Sequence, residues 1–263
     1  MIVRPFALSL ACAVSLAAQQ PDFRWEKALA AGSTVALHNI NGDVTVTPST
    51  SGKVEIVGVK RGNRRYFEDI TLEVVESSRG ITVCSMFKNA DMECDEDGLR
   101  SHDRWGRRGR DWDDLQIDIE VKLPANLEVR ANSVSGNVSV VGARGDVRAT
   151  SVSGDVRMER LRVTSLKATS VSGDVVVGVD SLGGSGTLSF TSVSGNVTAD
   201  LPKGIDADVS LRTVSGSLDS DFPLVLSGGR MSSHSLEARI GRGGRELEVR
   251  TVSGDVRLRQ TKP

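Results

Sequence analysis

Residues 166–177 read LKATSVSGDVVV, and the tetrapeptide Ser170-Val171-Ser172-Gly173 inside this stretch recurs along the second half of the chain. Five further copies of this [ST]-V-S-G motif end at Gly136, Gly154, Gly195, Gly216 and Gly254. In chain order, the six motif glycines are separated by 18, 19, 22, 21 and 38 residues. A period near 20 residues is typical of stacked architectures, in which each unit covers the apolar face of its neighbour.

The residues around each motif glycine predict a tight turn between two short strands. Every motif glycine precedes Asn, Asp or Ser, and glycine followed by a short polar residue is typical of tight turns. Apolar and polar residues alternate on both sides of the turn, which indicates strands. In the quoted repeat we expect a break in the alternation at Thr169-Ser170 and one inner face containing Leu166, Ala168, Val171, Val175 and Val177. The same interpretation places Val152, Val193 and Val214 on the inner faces of their own repeats.

The length of the repeat restricts how the strands can pair. About 20 residues leave no room for a crossover helix, so equivalent strands of successive repeats are expected to pair in parallel. The sequence therefore predicts an all-β fold, a single-stranded parallel β-solenoid (β-helix) with repeats of about 18–22 residues. An antiparallel sandwich or barrel of hairpins also has short, regularly spaced strands. That alternative does not explain why one tetrapeptide recurs once per whole repeat.

This pattern predicts that the chain has three parts. A signal peptide at residues 1–17 precedes a more irregular β-rich half, residues 18–131, and the regular repeats occupy residues 132–263. The irregular half contains a divergent copy of the motif, HNINGDV, at residues 38–44. We interpret the 38-residue interval before Gly254 as a degenerate repeat plus an excursion that blunts the open end of the stack.

The N-terminal residues have the pattern of a secretory signal peptide. An apolar run over residues 6–18 follows a positive charge, and Ser15 and Ala17 are small residues at the expected cleavage site. In an alternative reading Cys12 is the lipidated residue of a lipoprotein, although its approach sequence is poor. No other stretch approaches the ~20 apolar residues of a membrane helix. We expect an exported protein, periplasmic, at the cell surface or secreted, with no integral membrane segment.

Removal of the signal peptide leaves two cysteines, Cys84 and Cys94. Paired cysteines in an oxidising compartment form a disulfide by default, so a Cys84–Cys94 disulfide is predicted. A metal site or a catalytic thiol lacks partners, because the three histidines, His38, His102 and His234, have no metal-ligand spacing.

The charge balance and the motif content exclude several functions. The chain has 33 basic and 34 acidic residues, so the basic footprint of a nucleic-acid-binding protein is missing and no nucleic-acid partner is expected. The sequence contains no G-x-S-x-G elbow, P-loop, G-x-G-x-x-G or H-E-x-x-H motif. Residues 132–263 hold only two aromatics, Phe190 and Phe222, and offer no sugar platform. We expect no catalytic residue, no cofactor and no metal site.

The order of motifs resembles that of a known family. After the signal peptide, the chain has Phe23 and Trp25 leading to NGDV at 41–44, VEIVGVKRG at 54–62, ITVCSM at 81–86, IEVKLPANLEVR at 119–130, serial SVSG[DN]V repeats and RTVSGDVRL at 250–258. This pattern resembles the bacterial putative-adhesin family of extracytoplasmic β-solenoid domains, and the resemblance covers essentially the whole mature chain. It implies the fold, and it implies no catalytic residue and no ligand.

The charged segment at residues 95–114 is the first candidate for a partner-binding site. It has no β-branched residue, and we expect a solvated or disordered loop. Trp and Arg are enriched at protein interfaces, so the candidate partner-binding residues are Trp105, Arg107, Arg108, Arg110 and Trp112. In the alternative, the tryptophans pack on the flank of the solenoid. Asp95, Asp97 and Gly98 resemble part of a calcium loop, but its twelfth position is Arg104 where a glutamate is required.

Two ladders of polar residues follow from the stacked repeats. The residues after the motif glycines, Asn137, Asp155, Asp174 and Asn196, are interpreted as turn formers, with a cation site as the alternative. The hydroxyls of Ser151, Ser170, Ser192 and Thr213 are a poor copy of an ice-binding array. Arg144-Gly145-Asp146 spells an integrin tripeptide, which we interpret as a chance match.

These observations predict a non-catalytic, exported protein that presents an extended surface to a protein or glycan on the cell surface or in the envelope. One alternative is a glycan-binding or polysaccharide-processing β-helix. A second alternative is a periplasmic regulatory or scaffolding domain.

Overall fold

The structure is a computed structural model that describes residues 22–88, 90–101 and 115–261, without the side chains of residues 227–231. Nearly all regular structure in these ranges is β, since β-branched residues alternate with polar ones. The irregular half contains a 3₁₀ turn at Arg64–Asp69 and nine strands: β1 (Phe23–Lys27), β2 (Thr34–Asn41), β3 (Val44–Pro48), β4 (Val54–Arg61), β5 (Ile70–Ser77), β6 (Gly80–Phe87), β7 (Met92–Asp95), β8 (Gly98–Ser101) and β9 (Gln116–Leu123).

The repeat half contributes fourteen more strands to the described part of the chain. They are β10 (Glu128–Ser135), β11 (Val138–Val141), β12 (Val147–Ser153), β13 (Val156–Val163), β14 (Leu166–Ser172), β15 (Val175–Leu182), β16 (Leu188–Ser194), β17 (Val197–Leu201), β18 (Ala207–Arg212), β19 (Leu218–Ser220), β20 (Val225–Ser232), β21 (Ser235–Ile240), β22 (Arg245–Arg250) and β23 (Val256–Gln260).

The strands form two long sheets and one small one. Sheet A has ten strands in the order β1-β4-β9-β3-β11-β13-β15-β17-β23-β19. Sheet B has eleven in the order β20-β21-β18-β22-β16-β14-β12-β10-β2-β6-β5. Strands β7 and β8 form a separate hairpin. Each regular repeat places one strand in sheet B, turns at its motif glycine and places the next strand in sheet A.

The pairing confirms an all-β fold and corrects the prediction of a single parallel coil. Equivalent strands of neighbouring repeats pair in parallel and in register, as β12 and β14 do from Val147↔Leu166 to Ser153↔Ser172. Antiparallel pairs lie at one end of sheet A, at β1–β4 and β4–β9, and at both ends of sheet B, at β5–β6 and at β18–β21 and β20–β21. The other end of sheet A, β23–β19, is parallel. Two residues separate β5 from β6 and β20 from β21, and such short turns join only antiparallel strands. Both sheets are therefore mixed.

The last repeat in the sequence is not the last repeat in space. Strands β22 and β23 lie between the repeat β16/β17 and the repeat β18/β19 in the two sheets. In space, the motif glycine Gly254 therefore stacks between Gly195 and Gly216. The 38-residue interval contains β20 and β21, which lie at the edge of sheet B beyond β18 and agree with an end-blunting excursion. The chain then returns, and β22 and β23 insert between two repeats that precede them in the sequence.

The inner faces of the two sheets form one hydrophobic core, and the expected inner face was wrong at one position per repeat. In β14, Leu166 and Ala168 are buried as expected. Ser170 is buried as well, whereas Val171 is 40% exposed. The alternation of the strand continues through Thr169-Ser170 without the expected break, because the buried serine hydroxyl has a hydrogen-bond partner inside. Val152, Val193 and Val214 likewise face outward.

Candidate functional site

The motif glycines form a stacked column at the turn between the two sheets. A Cβ atom at Gly173 would lie 2.4 Å from the carbonyl oxygen of Gly154, and the φ of Gly173 is +157°. Both the close approach and this backbone conformation exclude a side chain. The column runs in space through Gly42, Gly136, Gly154, Gly173, Gly195, Gly254 and Gly216. The divergent motif at residues 38–44 therefore begins the same column.

The first residue of the motif supports this column from inside. The Ser170 hydroxyl donates to the carbonyl oxygen of Gly154 at 2.8 Å, and the Ser192 hydroxyl donates to that of Gly173 at 2.9 Å. Four further hydroxyls do the same: Ser133 to Gly42, Ser151 to Gly136, Thr251 to Gly195 and Thr213 to Gly254. These side chains are buried. They satisfy carbonyl groups, and they present no hydroxyl array to solvent.

The residue after each glycine links neighbouring turns. Asp155 Oδ1 accepts from the backbone N–H of Asp174 at 2.8 Å, and Asp174 Oδ1 accepts from that of Asn196 at 2.7 Å. The same bond joins Asn137 to Asp43, Asp155 to Asn137, Asp255 to Asn196 and Ser217 to Asp255. The interpretation as turn formers is confirmed by these bonds. No cluster of three or more His, Cys, Asp or Glu side chains that could hold a metal ion occurs in the described ranges.

The second residue of the motif forms an exposed apolar line, here called the valine ridge. Its members are 40–69% exposed and occupy the second position of the motif on the sheet B side of each turn. Val134, Val152, Val171 and Val193 lie in β10, β12, β14 and β16, and Val252 and Val214 lie two residues beyond the ends of β22 and β18. Neighbouring strands lie about 4.8 Å apart. The ridge is therefore a straight apolar strip along the stack, and contiguous exposed apolar surface marks interaction sites.

Two further columns lie beside the valine ridge on the outer face of sheet B. The polar column consists of Asn132, Thr150, Thr169 and Thr191, which are in register. The cationic column consists of Arg130, Arg148 and Lys167, also in register and exposed. None of these three cations makes an ion pair with another described residue, whereas Arg250 and Arg212 on β22 and β18 pair with Glu248 and Glu237. Like charges directly opposite each other destabilise a sheet.

The β7–β8 hairpin closes this face at its N-terminal end. Cys84 on β6 and Cys94 on β7 form a disulfide with a Cα–Cα distance of 6.0 Å. Gly98 in the hairpin lies against the ring of His38, since a Cβ there would be 2.7 Å from His38 Cε1. Burial lowers the pKa of His38 below its ordinary value, and the charge of Asp95 partly opposes this effect.

The charged segment has a structure at its start that sequence reasoning missed. Asp95 and residues 98–101 belong to the β7–β8 hairpin, so the prediction of a loop from residue 95 was wrong there. The pairing gives the backbone of this polar segment its hydrogen bonds. The candidate binding residues Trp105, Arg107, Arg108, Arg110 and Trp112 lie outside the described residues, as does Arg104.

The carboxylates that resemble part of a calcium loop, Asp95 and Asp97, are bound to arginines. Asp97 accepts from Arg79 at 2.8 Å, and Asp95 pairs with Arg100 at 3.0 Å. The bond from Arg79 lowers the pKa of Asp97. Asp95 Oδ1 also accepts from the backbone N–H groups of Asp97 and Gly98. These groups occupy the oxygens that a cation would need.

Arg245, a buried arginine outside the cationic column, was not identified as a candidate from the sequence. Arg245 is 6% exposed, and its guanidinium donates to the carbonyl oxygens of Thr164, Gly183, Gly184 and Gly186. Burial lowers the pKa of Arg245. A cavity of about 550 Å³ lies beside it. Gly183, Gly184 and Gly186 lie between β15 and β16, and Thr164 lies between β13 and β14. Arg245 therefore holds the segment between β15 and β16 in place.

The integrin-like tripeptide also has a structural role. Asp146 Oδ1 accepts from the backbone N–H of Ser165 at 3.1 Å, and a Cβ at Gly145 would lie 2.7 Å from the carbonyl oxygen of Leu127. These contacts join neighbouring repeats and fit the interpretation of a chance match. Among the residues that the structure describes, none lies in a helix of the length and apolarity needed to span a membrane.

Solved structures of other proteins are similar to this chain. A putative cell adhesion protein from Clostridium sporogenes is 10% identical, with a TM-score of 0.52 over 92% of this chain and 100% of its own. A putative adhesin from Bacteroides fragilis is 14% identical, with a TM-score of 0.42 over 91% and 96% of the two chains. At such identities the likeness concerns the fold alone. No curated protein is similar to the chain. The model of the Toastrack DUF4097 family matches residues 34–259, and the chain therefore belongs to this family.

Proposed function

We propose that the protein is a non-catalytic, exported binding protein that uses the outer face of sheet B as an extended surface for a partner in the cell envelope or on a cell surface. The observation that carries the proposal is the valine ridge, in which each repeat exposes one valine at 40–69% in register with the next. Six aligned valines that remain exposed to water do not stabilise the protein, whereas a partner that covers them removes apolar area from water.

Two further features support this function. The Cys84–Cys94 disulfide favours an oxidising compartment outside the cytoplasm, which agrees with the signal peptide expected at residues 1–17. The polar side chains of the stack are occupied by structural bonds: the Ser/Thr hydroxyls by glycine carbonyls and the Asp/Asn oxygens by backbone N–H groups. These groups are consequently poor candidates for nucleophiles or general bases, which need to reach a substrate.

A binding experiment tests the proposal. The mature protein is labelled and incubated with washed envelope fractions of the source cells, and the bound fraction is measured against protein concentration. The variant Val152→Ser/Val171→Ser should bind at least about tenfold more weakly, because it interrupts the valine ridge at its centre. The control Val176→Ser changes a half-buried valine on the outer face of sheet A and should bind like the wild type. Equal binding by all three proteins would overturn the proposal.

The location is tested separately by protease treatment of intact cells, followed by the same treatment after the envelope is permeabilised. Digestion of the protein on intact cells supports a role at the surface. Protection until permeabilisation supports a partner in the periplasm, and protection in spheroplasts would contradict export.

A further inference from the structure

The structure points to a chemical class of partner, and this inference rests on the proposed function. We propose that the outer face of sheet B binds a linear acidic polysaccharide that carries a carboxylate on each sugar and lies along the stack, across β10, β12 and β14. The cationic column would contact the carboxylates, the polar column the sugar hydroxyls and the valine ridge the less polar ring faces.

The charge of the partner follows from the cationic column. Arg130, Arg148 and Lys167 lie directly opposite one another on three adjacent strands, at a spacing of about 4.8 Å. The nearest carboxylates in the sequence are engaged elsewhere: Glu128 accepts from the Thr34 hydroxyl at 3.1 Å, and Asp146 from the backbone N–H of Ser165 at 3.1 Å. Three aligned cations without an ion-pair partner in the described ranges repel one another, and an anionic partner relieves this repulsion.

The spacing of the column distinguishes a polysaccharide from a peptide. An extended peptide presents side chains on one face at every second residue, about 6.6 Å apart. An acidic peptide along the stack would therefore lose register with the cations within three strands. Sugar residues of an extended 1,4-linked polysaccharide are about as long as the strand spacing, and successive residues point their carboxylates to opposite sides. Carboxylates on one side therefore recur at about every second strand and stay in register with Arg130 and Lys167.

The polar column provides hydrogen bonds of the kind that a sugar needs. Asn132, Thr150, Thr169 and Thr191 carry groups that both donate and accept. The Thr169 Oγ1 atom lies at the centre of this face and has no hydrogen-bond partner in the described structure, although it is inaccessible to solvent. Buried polar atoms are rarely left without a partner.

A second copy of the chain is a weaker candidate for the occupant. A stable interface buries about 800 Å² on each partner, and six half-exposed valines in a single line fall well short of this area. A partner must therefore also cover the polar and cationic columns. A second copy would bring a second cationic column with it.

The probe for the experiment is polygalacturonate, with dextran as the neutral polymer and poly-L-glutamate as the acidic peptide. Binding to the mature protein is measured by titration calorimetry at low and at physiological salt. We expect saturable binding of polygalacturonate that weakens with salt, no binding of dextran and weaker binding of poly-L-glutamate. Equal or tighter binding of poly-L-glutamate, or no binding of polygalacturonate at low salt, would overturn the inference.

Matched variants locate the site. Arg148→Gln/Lys167→Gln should weaken polygalacturonate binding about tenfold or more, because each change removes a charge-assisted contact. Arg157→Gln/Arg259→Gln removes the same charge from the outer face of sheet A and should change binding less than about twofold. Equal losses in the two variants would show a general charge effect and contradict the inference. Thr169→Val, which removes only the hydroxyl, should weaken binding severalfold.

The two proposals fail in different ways. If polygalacturonate does not bind but Val152→Ser/Val171→Ser still reduces binding to envelope fractions, the assignment to an acidic polysaccharide is wrong and the proposed function stands. If the valine and cation variants both leave envelope binding unchanged, the proposed function fails as well. Thermal unfolding of each variant excludes loss of the fold as the cause.

Discussion

The Ser170 hydroxyl donates a hydrogen bond of 2.8 Å to the carbonyl oxygen of Gly154, one repeat earlier in the stack. Ser170 is buried, and this bond is the reason that a polar residue occupies an inner position of the strand. It also displaces Val171 to the outside. One interaction thereby explains both the motif and the exposed valine ridge.

The Ser170–Gly154 bond predicts a measurable loss of stability. Ser170→Ala leaves the Gly154 carbonyl buried without its donor, which costs about 1–3 kcal/mol. The control is Ser172→Ala, two residues away on the exposed side of the same strand, which should change stability by less than ~0.5 kcal/mol. Urea unfolding followed by circular dichroism gives both values. Similar effects of the two changes would contradict the role of the hydroxyl.

The glycine column predicts a larger effect at Gly173. An alanine Cβ there would lie 2.4 Å from the Gly154 carbonyl oxygen, so neighbouring turns would have to separate. We expect Gly173→Ala to destabilise the protein by about 3 kcal/mol or more. Gly204→Ala is the control, because no atom lies within 4 Å of a Cβ at that position. Comparison of their midpoints in urea tests the column, and a wild-type midpoint for Gly173→Ala would refute it.

The corrected inner face predicts opposite outcomes for two aspartates. Val171→Asp changes a residue that is 40% exposed and should cost less than about 1 kcal/mol. Ala168→Asp places a carboxylate at a position that is 0% exposed and should abolish cooperative unfolding. Thermal denaturation of both variants distinguishes them. If Val171→Asp abolished cooperative unfolding and Ala168→Asp did not, Val171 would lie on the inner face, as the alternation with a break predicts.

The Cys84–Cys94 disulfide predicts a stability difference between oxidised and reduced protein. The bond closes a loop with a sequence separation of 10, and chain-entropy arithmetic gives about 2–3 kcal/mol for a loop of this size. Cys84→Ser/Cys94→Ser should lower the free energy of unfolding by this amount and should be insensitive to reductant. Identical stability of the wild type with and without reductant would show that the bond does not form.

The pH dependence follows from the depressed pKa of Asp255. The backbone bond from Ser217 is the main cause, with contributions from the Ser217 hydroxyl and Arg257. A carboxyl whose pKa is lower in the folded state than in the unfolded state stabilises the fold above its unfolded pKa, near 3.9. This contribution is lost as the pH falls through the folded value.

We therefore expect the melting temperature to fall between about pH 4 and pH 2, and to fall less steeply in Asp255→Asn. Asparagine is the natural residue at the same place in other repeats, as at Asn137 and Asn196, where its Oδ1 accepts the same backbone bond. The isosteric change thus retains the ladder and removes the titration. An unchanged acid limb in the variant would exclude Asp255 as a contributor.

The regular spacing of the motif was sufficient to predict strands, turns at the glycines and parallel pairing of the repeats. These features follow from local chemistry, since a glycine-polar pair selects a turn and alternation selects a strand. The disulfide was predictable because only Cys84 and Cys94 lie outside the signal peptide expected at residues 1–17. The expectation that the apolar Val171 lies inside in place of Ser170 required a break in the alternation, and for that reason the valine ridge was missed.

By itself, the sequence determined the repeat, the turn glycines and the pairing of Cys84 with Cys94. Only the tertiary structure decided that Gly254 stacks between Gly195 and Gly216, that three of the four sheet ends are antiparallel, and that serine is buried while valine is exposed. Each of these depends on contacts between segments far apart in the chain. The carbonyl that makes a buried serine favourable belongs to another repeat, so no local pattern could reveal it.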